Sequence, residues 1–195
     1  MANSPGSPLP WKRKPAAPAL LVSFYGMLAQ GLTRNTFVGG EGCTLEPVDA
    51  GGRFFYCPPN SAASAHALAM LRNMLVQDWD LDDDGKPETL RLAFATSRRW
   101  LEDGKAIRVE RAPTPFGPVS RQLESRLAER KVMAKVELPG RNPAARTLLR
   151  ACLPKGWEVA EVKGPNGRLS ADAAGTVDLS ALKGKVSLVF VARKK

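Results

Sequence analysis

The sequence predicts an α+β protein in which a short helical N-terminal segment packs on a C-terminal antiparallel β-sandwich. Before residue 80 the apolar residues follow a helical spacing, and after residue 88 they alternate with polar residues. An acidic stretch with a glycine separates the two patterns. We therefore expect a flexible leader at residues 1–15, a helical segment at 16–79 and a β-sandwich domain at 80–195.

Two helices are predicted in the helical segment, over residues 19–32 and 62–76. The first carries apolar residues on most faces, as a helix buried among other helices does. The second follows two prolines and an Asn-Ser pair, which supply a stop and a cap, and it places Leu68, Leu71 and Leu75 on one stripe. A loop rich in glycine and turn residues, 33–60, joins the two helices.

Short alternating segments after residue 88 predict the strands of the sandwich. Turns containing Gly, Pro and Asn separate them at regular intervals, as in a sheet-on-sheet fold. An isolated sheet would leave one apolar face uncovered, so a second layer is required. The predicted strands are residues 89–95, 107–111, 121–127, 132–138, 147–153, 157–163, 176–179 and 186–192.

Composition restricts the function without defining it. The 195 residues are 44% hydrophobic and carry a net charge of +10, which favours acidic partners but also suits solvated sheet faces. A basic run before residues 16–29 has the order of a secretory signal but no clear cleavage site, so cytoplasmic and secreted locations both stay open. No apolar run predicts a membrane span. The three cysteines favour buried free thiols over a Cys43–Cys57 disulfide.

The acidic stretch is the clearest local motif, and it predicts a calcium site. Carboxylates recur at alternate positions, a glycine allows a sharp turn, and hard oxygen ligands can converge there on one cation. Arg91 stands where a helix–loop–helix calcium site requires a glutamate, so the motif is a shorter loop. The alternative is an acidic connector that stays hydrated or pairs with nearby arginines. The predicted ligands are Asp80, Asp82, Asp84, the carbonyl of Lys86, and Glu88.

An ordered series of segments resembles the C-terminal part of large bacterial glycoside-hydrolase-like proteins, in which an (α/α)6 toroid leads into a β-sandwich. The similarity extends over about residues 20–195 and is carried by residues 24–37, 40–42, 58–61, 75–79, 95–104 and 112–118. It implies a terminal or accessory module of a carbohydrate-active protein. Such a toroid needs about a dozen helices, and this chain offers two or three, so most of an active site would be missing. The two helices would then expose apolar faces and favour self-association.

Glu41 is the candidate catalytic residue, because a glutamate between glycines on a loop over a toroid could reach substrate. Glycoside hydrolysis generally requires two carboxyl groups, and no defined partner is spaced for Glu41, so a solvated turn residue is the favoured interpretation. We therefore expect an accessory module without activity of its own, which would become a glycoside hydrolase only by completing a larger toroid.

The predicted partners are a carbohydrate or a glycoside-hydrolase catalytic region. Trp100 and Trp157 could stack on sugar rings, although tryptophan contributes mainly to packing in most positions. A stand-alone carbohydrate-binding sandwich is the first alternative. A basic nucleic-acid-binding protein is the second, and the lack of a recognised motif disfavours it.

Overall fold

A computed structural model describes residues 17–44, 46, 54–80 and 84–195. The chain divides into two compact units between Ser64 and Ala65. The predicted leader, residues 1–15, lies outside the described residues.

Among the residues that the structure describes, the first unit contains one helix, one small hairpin and the start of a second helix. Helix α1 spans Ala17–Gly26 and continues as a π-helical turn, Met27–Gly31. The extended backbone of Leu32 ends it, close to the predicted boundary. Strands β1 (Gly42–Cys43) and β2 (Phe55–Tyr56) pair antiparallel. Within the described ranges, neither α1 nor the helix that follows is long and apolar enough to cross a bilayer.

Helix α2, Ser61–Leu75, begins one residue before the prediction and ends one residue earlier. Asn60 caps it, since the side-chain Oδ1 accepts a hydrogen bond from the Ala63 N–H at 2.8 Å. The chain then enters the sandwich directly, with Val76 as the first residue of a strand. The sandwich therefore includes four residues that the sequence pattern placed in the helical segment.

The second unit is built on two sheets, and the predicted mixed α+β class with mostly antiparallel sheet is confirmed. The strands are β3 (Val76–Trp79), β4 (Thr89–Leu92), β5 (Ala106–Ala112), β6 (Val119–Arg126), β7 (Lys131–Glu137), β8 (Arg146–Arg150), β9 (Trp157–Gly164), β10 (Gly167–Leu169), β11 (Thr176–Asp178) and β12 (Lys185–Lys194). The larger sheet has the order β10-β9-β12-β7-β6-β5, and the smaller has the order β11-β8-β4-β3.

The core lies between the inward faces of these sheets. Alternate residues of β6, β7 and β12 are buried, and they form one apolar cluster with residues of β4 and β8. Leu90, Leu149, Leu123, Val132 and Phe190 are among its fully buried members. Burial of apolar area of this kind is the main driving force for the fold.

One strand pair departs from the predicted antiparallel arrangement. Strands β4 and β8 run parallel, with Leu90 opposite Thr147. Between them the chain forms β5, β6 and β7 of the other sheet, and a connection of that length is what parallel neighbours require. Strand β4 is also shorter than predicted, because Ala93 adopts a left-handed backbone conformation with φ of 61°.

The three cysteines are free thiols, as expected. The expectation that they are buried is wrong for Cys57, which is exposed, while Cys43 and Cys152 are half-buried.

Candidate functional site

The acidic loop brings three of the predicted calcium ligands together. Carboxylate oxygens of Asp80, Asp84 and Glu88 all lie within 4.8 Å of one another. Gly85, with φ of 84°, forms the turn, and its N–H donates to Asp80 Oδ2 at 2.7 Å. The predicted ligand Asp82 lies outside the described residues.

The donor set fits a hard cation. Asp80 Oδ1 is buried and has no hydrogen-bond partner among the residues the structure describes. The N–H of Lys86 donates to Asp84 Oδ1 at 2.8 Å, and its ammonium nitrogen lies 3.8 Å from Asp84 Oδ2. Carboxylate oxygens are the ligands that Ca²⁺ prefers, but exposed acidic clusters also occur without an ion. The calcium site therefore stays a prediction.

Glu41 is exposed and lies immediately before the β1–β2 hairpin, where its N–H donates to the carbonyl of Tyr56 at 2.9 Å. Packing explains the glycine that precedes Glu41, since a Cβ added at Gly40 would lie 2.8 Å from the Phe55 ring. The Gly-Glu-Gly pattern is thus partly explained by the close approach of Phe55 to the backbone. A catalytic role of Glu41 stays a prediction.

A groove of about 430 Å³ at one end of the sandwich brings Trp157 together with charged side chains that are distant in sequence. We call it the Trp157 groove. Its lining residues are Glu102, Asp103, Leu127, Ala128, Arg130, Pro154, Trp157 and Lys194.

The elements around the Trp157 groove position each polar group. Trp157 opens β9 and is half-buried, with the Lys194 ammonium 5.7 Å from the centre of its ring. Asp103 is held by the backbone, because its Oδ1 accepts from the Ala128 N–H at 2.9 Å. Arg130 is exposed on the turn between β6 and β7. An aromatic face and hydrogen-bonding side chains thus share one concave surface.

Glu102 is ionised in this groove. The hydrogen bond from Lys105, at 2.7 Å, lowers the pKa of the Glu102 carboxyl, and the charges of Lys105 and Arg99 act in the same direction. A carboxyl group with a lowered pKa accepts hydrogen bonds well but is a poor general acid at neutral pH. The groove is therefore suited to binding hydroxyl groups rather than to protonating a leaving group.

Sequence reasoning found only part of this site. It selected Trp157 as a possible sugar platform, and the structure places that residue in a groove. The other candidate, Trp100, is half-buried against the core and lines a different groove with Leu75 and Lys105. Glu102 and Asp103 were missed, and the Asp103-Gly104 turn before the predicted strand 107–111 was the available signal.

One buried charge lies outside every predicted site. Arg121 on β6 is 2% exposed and points into the core, where its Nη2 donates to the carbonyl of Leu75 at 3.1 Å. Its Nε and Nη1 have no acceptor among the described residues. Loss of hydration lowers the pKa of Arg121 to about 10.

No protein-family model matches the chain, and a search of curated proteins finds no match. The fold and grooves define a β-sandwich unit of the α+β class. The resemblance to glycoside-hydrolase-like proteins therefore stays a prediction.

Proposed function

We propose that this chain is a non-catalytic accessory module of a carbohydrate-active protein, and that its sandwich binds a carbohydrate in the Trp157 groove. The observation that carries the proposal is the combination of one half-buried indole with Glu102, Asp103 and Arg130 in a single groove. A sugar ring offers a C–H face that packs on an aromatic ring and hydroxyl groups that need fixed donors and acceptors.

The distribution of exposed apolar side chains supports an accessory role. Of the seven large apolar side chains that are exposed among the described residues, six belong to the first unit, between residues 22 and 56, and Leu68 belongs to the second. A concentration of such side chains usually marks a surface that another protein or domain covers. We propose that the exposed apolar side chains of the first unit contact the helices of a catalytic region. The exposed residues are Val22, Tyr25, Leu28, Phe37, Phe54, Tyr56 and Leu68.

The binding test uses the purified full chain and isothermal titration calorimetry with a panel of neutral polysaccharides. At least one should bind, and Trp157→Ala should weaken it about tenfold, as expected when a contact of ~1.4 kcal/mol is lost. Trp100→Ala is the matched control, because it removes an indole from a different groove. Circular dichroism and melting temperature show whether each variant is folded.

Three results would contradict the proposal. If no polysaccharide binds, the chain is not a carbohydrate-binding module. If Trp100→Ala weakens binding and Trp157→Ala does not, the ligand occupies another groove. Hydrolysis of aryl glycosides or polysaccharides by the isolated chain, abolished in Glu41→Gln, would make the chain an enzyme and Glu41 a catalytic residue.

A further inference from the structure

A second groove, of about 540 Å³, crosses the outer face of the larger sheet. We call it the basic groove. Four neighbouring strands supply its lining: residues 108–111 of β5, 120–122 of β6, 135–137 of β7 and 185–187 of β12. Strand β12 begins at this groove and ends at the Trp157 groove. Nine residue steps of ~3.3 Å therefore separate Lys185 from Lys194 by roughly 30 Å.

The register of the strands brings the polar side chains of the basic groove into rows. Lys135 lies opposite Gln122 on β6 and opposite Ser187 on β12. Gln122 lies in turn opposite Arg108 on β5. Along each strand, side chains that face solvent alternate with side chains that face the core, so these residues all point away from the core. One ligand can thus contact several strands at once.

The charge of the basic groove is positive. Apart from the buried Arg121, its lining contains four cationic side chains, together with two carboxylates, Glu110 and Glu137. Arg108 pairs with Glu110 at 2.5 Å. The three other cations have no carboxylate within 4.0 Å among the residues that the structure describes. They are Arg111, Lys135 and Lys185.

Neutral hydrogen-bonding groups lie between these cations. The Ser120 hydroxyl oxygen accepts from the N–H of Arg111 at 3.0 Å, so its own proton can be donated to a ligand. Gln122 and Ser187 add an amide and a hydroxyl group. A ligand that carries both anionic groups and hydroxyl groups would satisfy this surface.

The composition of the lining also distinguishes between classes of polyanion. None of the described residues that line the basic groove is aromatic. Proteins that bind single-stranded nucleic acids stack the bases on aromatic side chains, and those stacking contacts supply much of the affinity. A polysaccharide needs cations for its acidic groups and donors for its hydroxyl groups, and the groove provides both.

We propose that the basic groove is a second binding site, separate from the Trp157 groove, for an anionic polysaccharide whose sugars carry carboxylate or sulfate groups. Arg111, Lys135 and Lys185 bind the anionic groups, while Ser120, Gln122 and Ser187 contact the hydroxyl groups. The ligand lies across the four neighbouring strands β5, β6, β7 and β12. Since the two grooves share no lining residue, loss of either site leaves the other intact.

The test compares two double variants that remove the same charge. Lys135→Gln/Lys185→Gln removes two cations from the basic groove, and Lys155→Gln/Lys195→Gln removes two exposed lysines near the opposite end of β12. All four lysines are exposed, so both variants should fold, which circular dichroism checks. The probes are polygalacturonate for carboxylate, dextran sulfate for sulfate, dextran as the neutral polymer, and oligo(dT) as a single-stranded nucleic acid.

We expect at least one acidic polysaccharide to bind the wild-type chain in the basic groove. Dextran should not bind this groove. The groove variant should raise Kd about tenfold, and the slope of log Kd against log salt should fall by about two, one for each lost contact. The control variant should keep the wild-type slope. Trp157→Ala should leave this binding unchanged, so that failure here is distinguishable from failure of the neutral-carbohydrate proposal.

Other outcomes overturn the proposal. Equal losses in the two double variants would mean that net charge, and not the groove, attracts the polymer. Tighter binding of oligo(dT) than of either acidic polysaccharide, lost in the groove variant, would make the groove a nucleic-acid site. Absence of binding to both acidic polysaccharides would mean that the groove is a solvated sheet face.

Discussion

Replacing Arg121 with methionine should stabilise the protein. Arg121 is almost fully buried, makes one hydrogen bond and leaves two nitrogen atoms without acceptors among the described residues. A buried charge without a partner destabilises the folded state, and an apolar residue of similar volume often improves stability at such a position. Methionine retains the unbranched chain that packs among the core residues.

The expected gain follows from the pKa of Arg121. Burial lowers this pKa from its ordinary value to about 10. At ~1.4 kcal/mol for each pKa unit, the cation costs the folded state about 3 kcal/mol at neutral pH. The lost hydrogen bond to Leu75 offsets about 1–2 kcal/mol of that gain. No acceptor is orphaned, because the Leu75 carbonyl still accepts from the Ala93 N–H at 2.9 Å. We therefore expect a net gain of about 1–2 kcal/mol.

Urea denaturation followed by circular dichroism at pH 7 measures this gain. The midpoint should rise while the slope of free energy against urea stays the same, since the surface exposed on unfolding barely changes. Arg141→Met, at an exposed position, is the control and should change the free energy of unfolding by less than about 0.5 kcal/mol. A loss of about 1 kcal/mol or more in Arg121→Met would refute the reasoning and show that the guanidinium has a compensating partner.

Three further predictions concern the turns and the acidic loop. Gly175→Ala should lower the free energy of unfolding, measured by urea denaturation, by about 2–3 kcal/mol, because φ is 78° and the added Cβ would lie 2.9 Å from Val159 Cγ2. The control Gly156→Ala, with φ of 83° and open space around the added Cβ, should lower it by only about 1 kcal/mol. Equal losses in the two variants would disprove the steric argument. Desolvation raises the pKa of Asp172, but hydrogen bonds from the following turn outweigh it and the net pKa is lowered. The carboxylate therefore stabilises the fold at pH values above its ordinary pKa of 3.8, and this stabilisation is lost as the pH falls through the lower pKa of the folded state. The difference in the free energy of unfolding between wild type and Asp172→Asn should thus be smaller at pH 3 than at pH 7. A difference that does not change with pH would contradict this prediction. If the acidic loop binds Ca²⁺, the ion should raise the melting temperature of the wild type and not of Asp80→Asn, whereas no shift and no heat of binding would reject the site.

The sequence by itself determined the local elements. Alternation of apolar and polar residues located β6, β7 and β12, because successive side chains of a strand point to opposite faces of the sheet. Helix α2 was predicted to within one residue at each end, since its cap, Asn60, is local. The convergence of Asp80, Asp84 and Glu88 was also predictable from spacing on one short loop.

The alternation of apolar and polar residues in β6 also indicated that Arg121 is buried. Arg121 lies two residues before Leu123 on β6, and residues at that spacing share a face. An inward Leu123 therefore implied an inward Arg121. Sequence reasoning treated the basic residues as one solvated group instead, and only the packing of the two sheets exposed the exception.

The tertiary structure alone decided which elements meet. The parallel pairing of β4 with β8 depends on three intervening strands that belong to the other sheet. The Trp157 groove joins residues 102–103, 127–130, 154–157 and 194, and the basic groove joins four strands. Periodicity reports which face of an element is apolar, but it carries no information about the partner that covers that face. Both proposed binding sites depend on such long-range pairings, which is why the sequence revealed only one tryptophan of the first and nothing of the second.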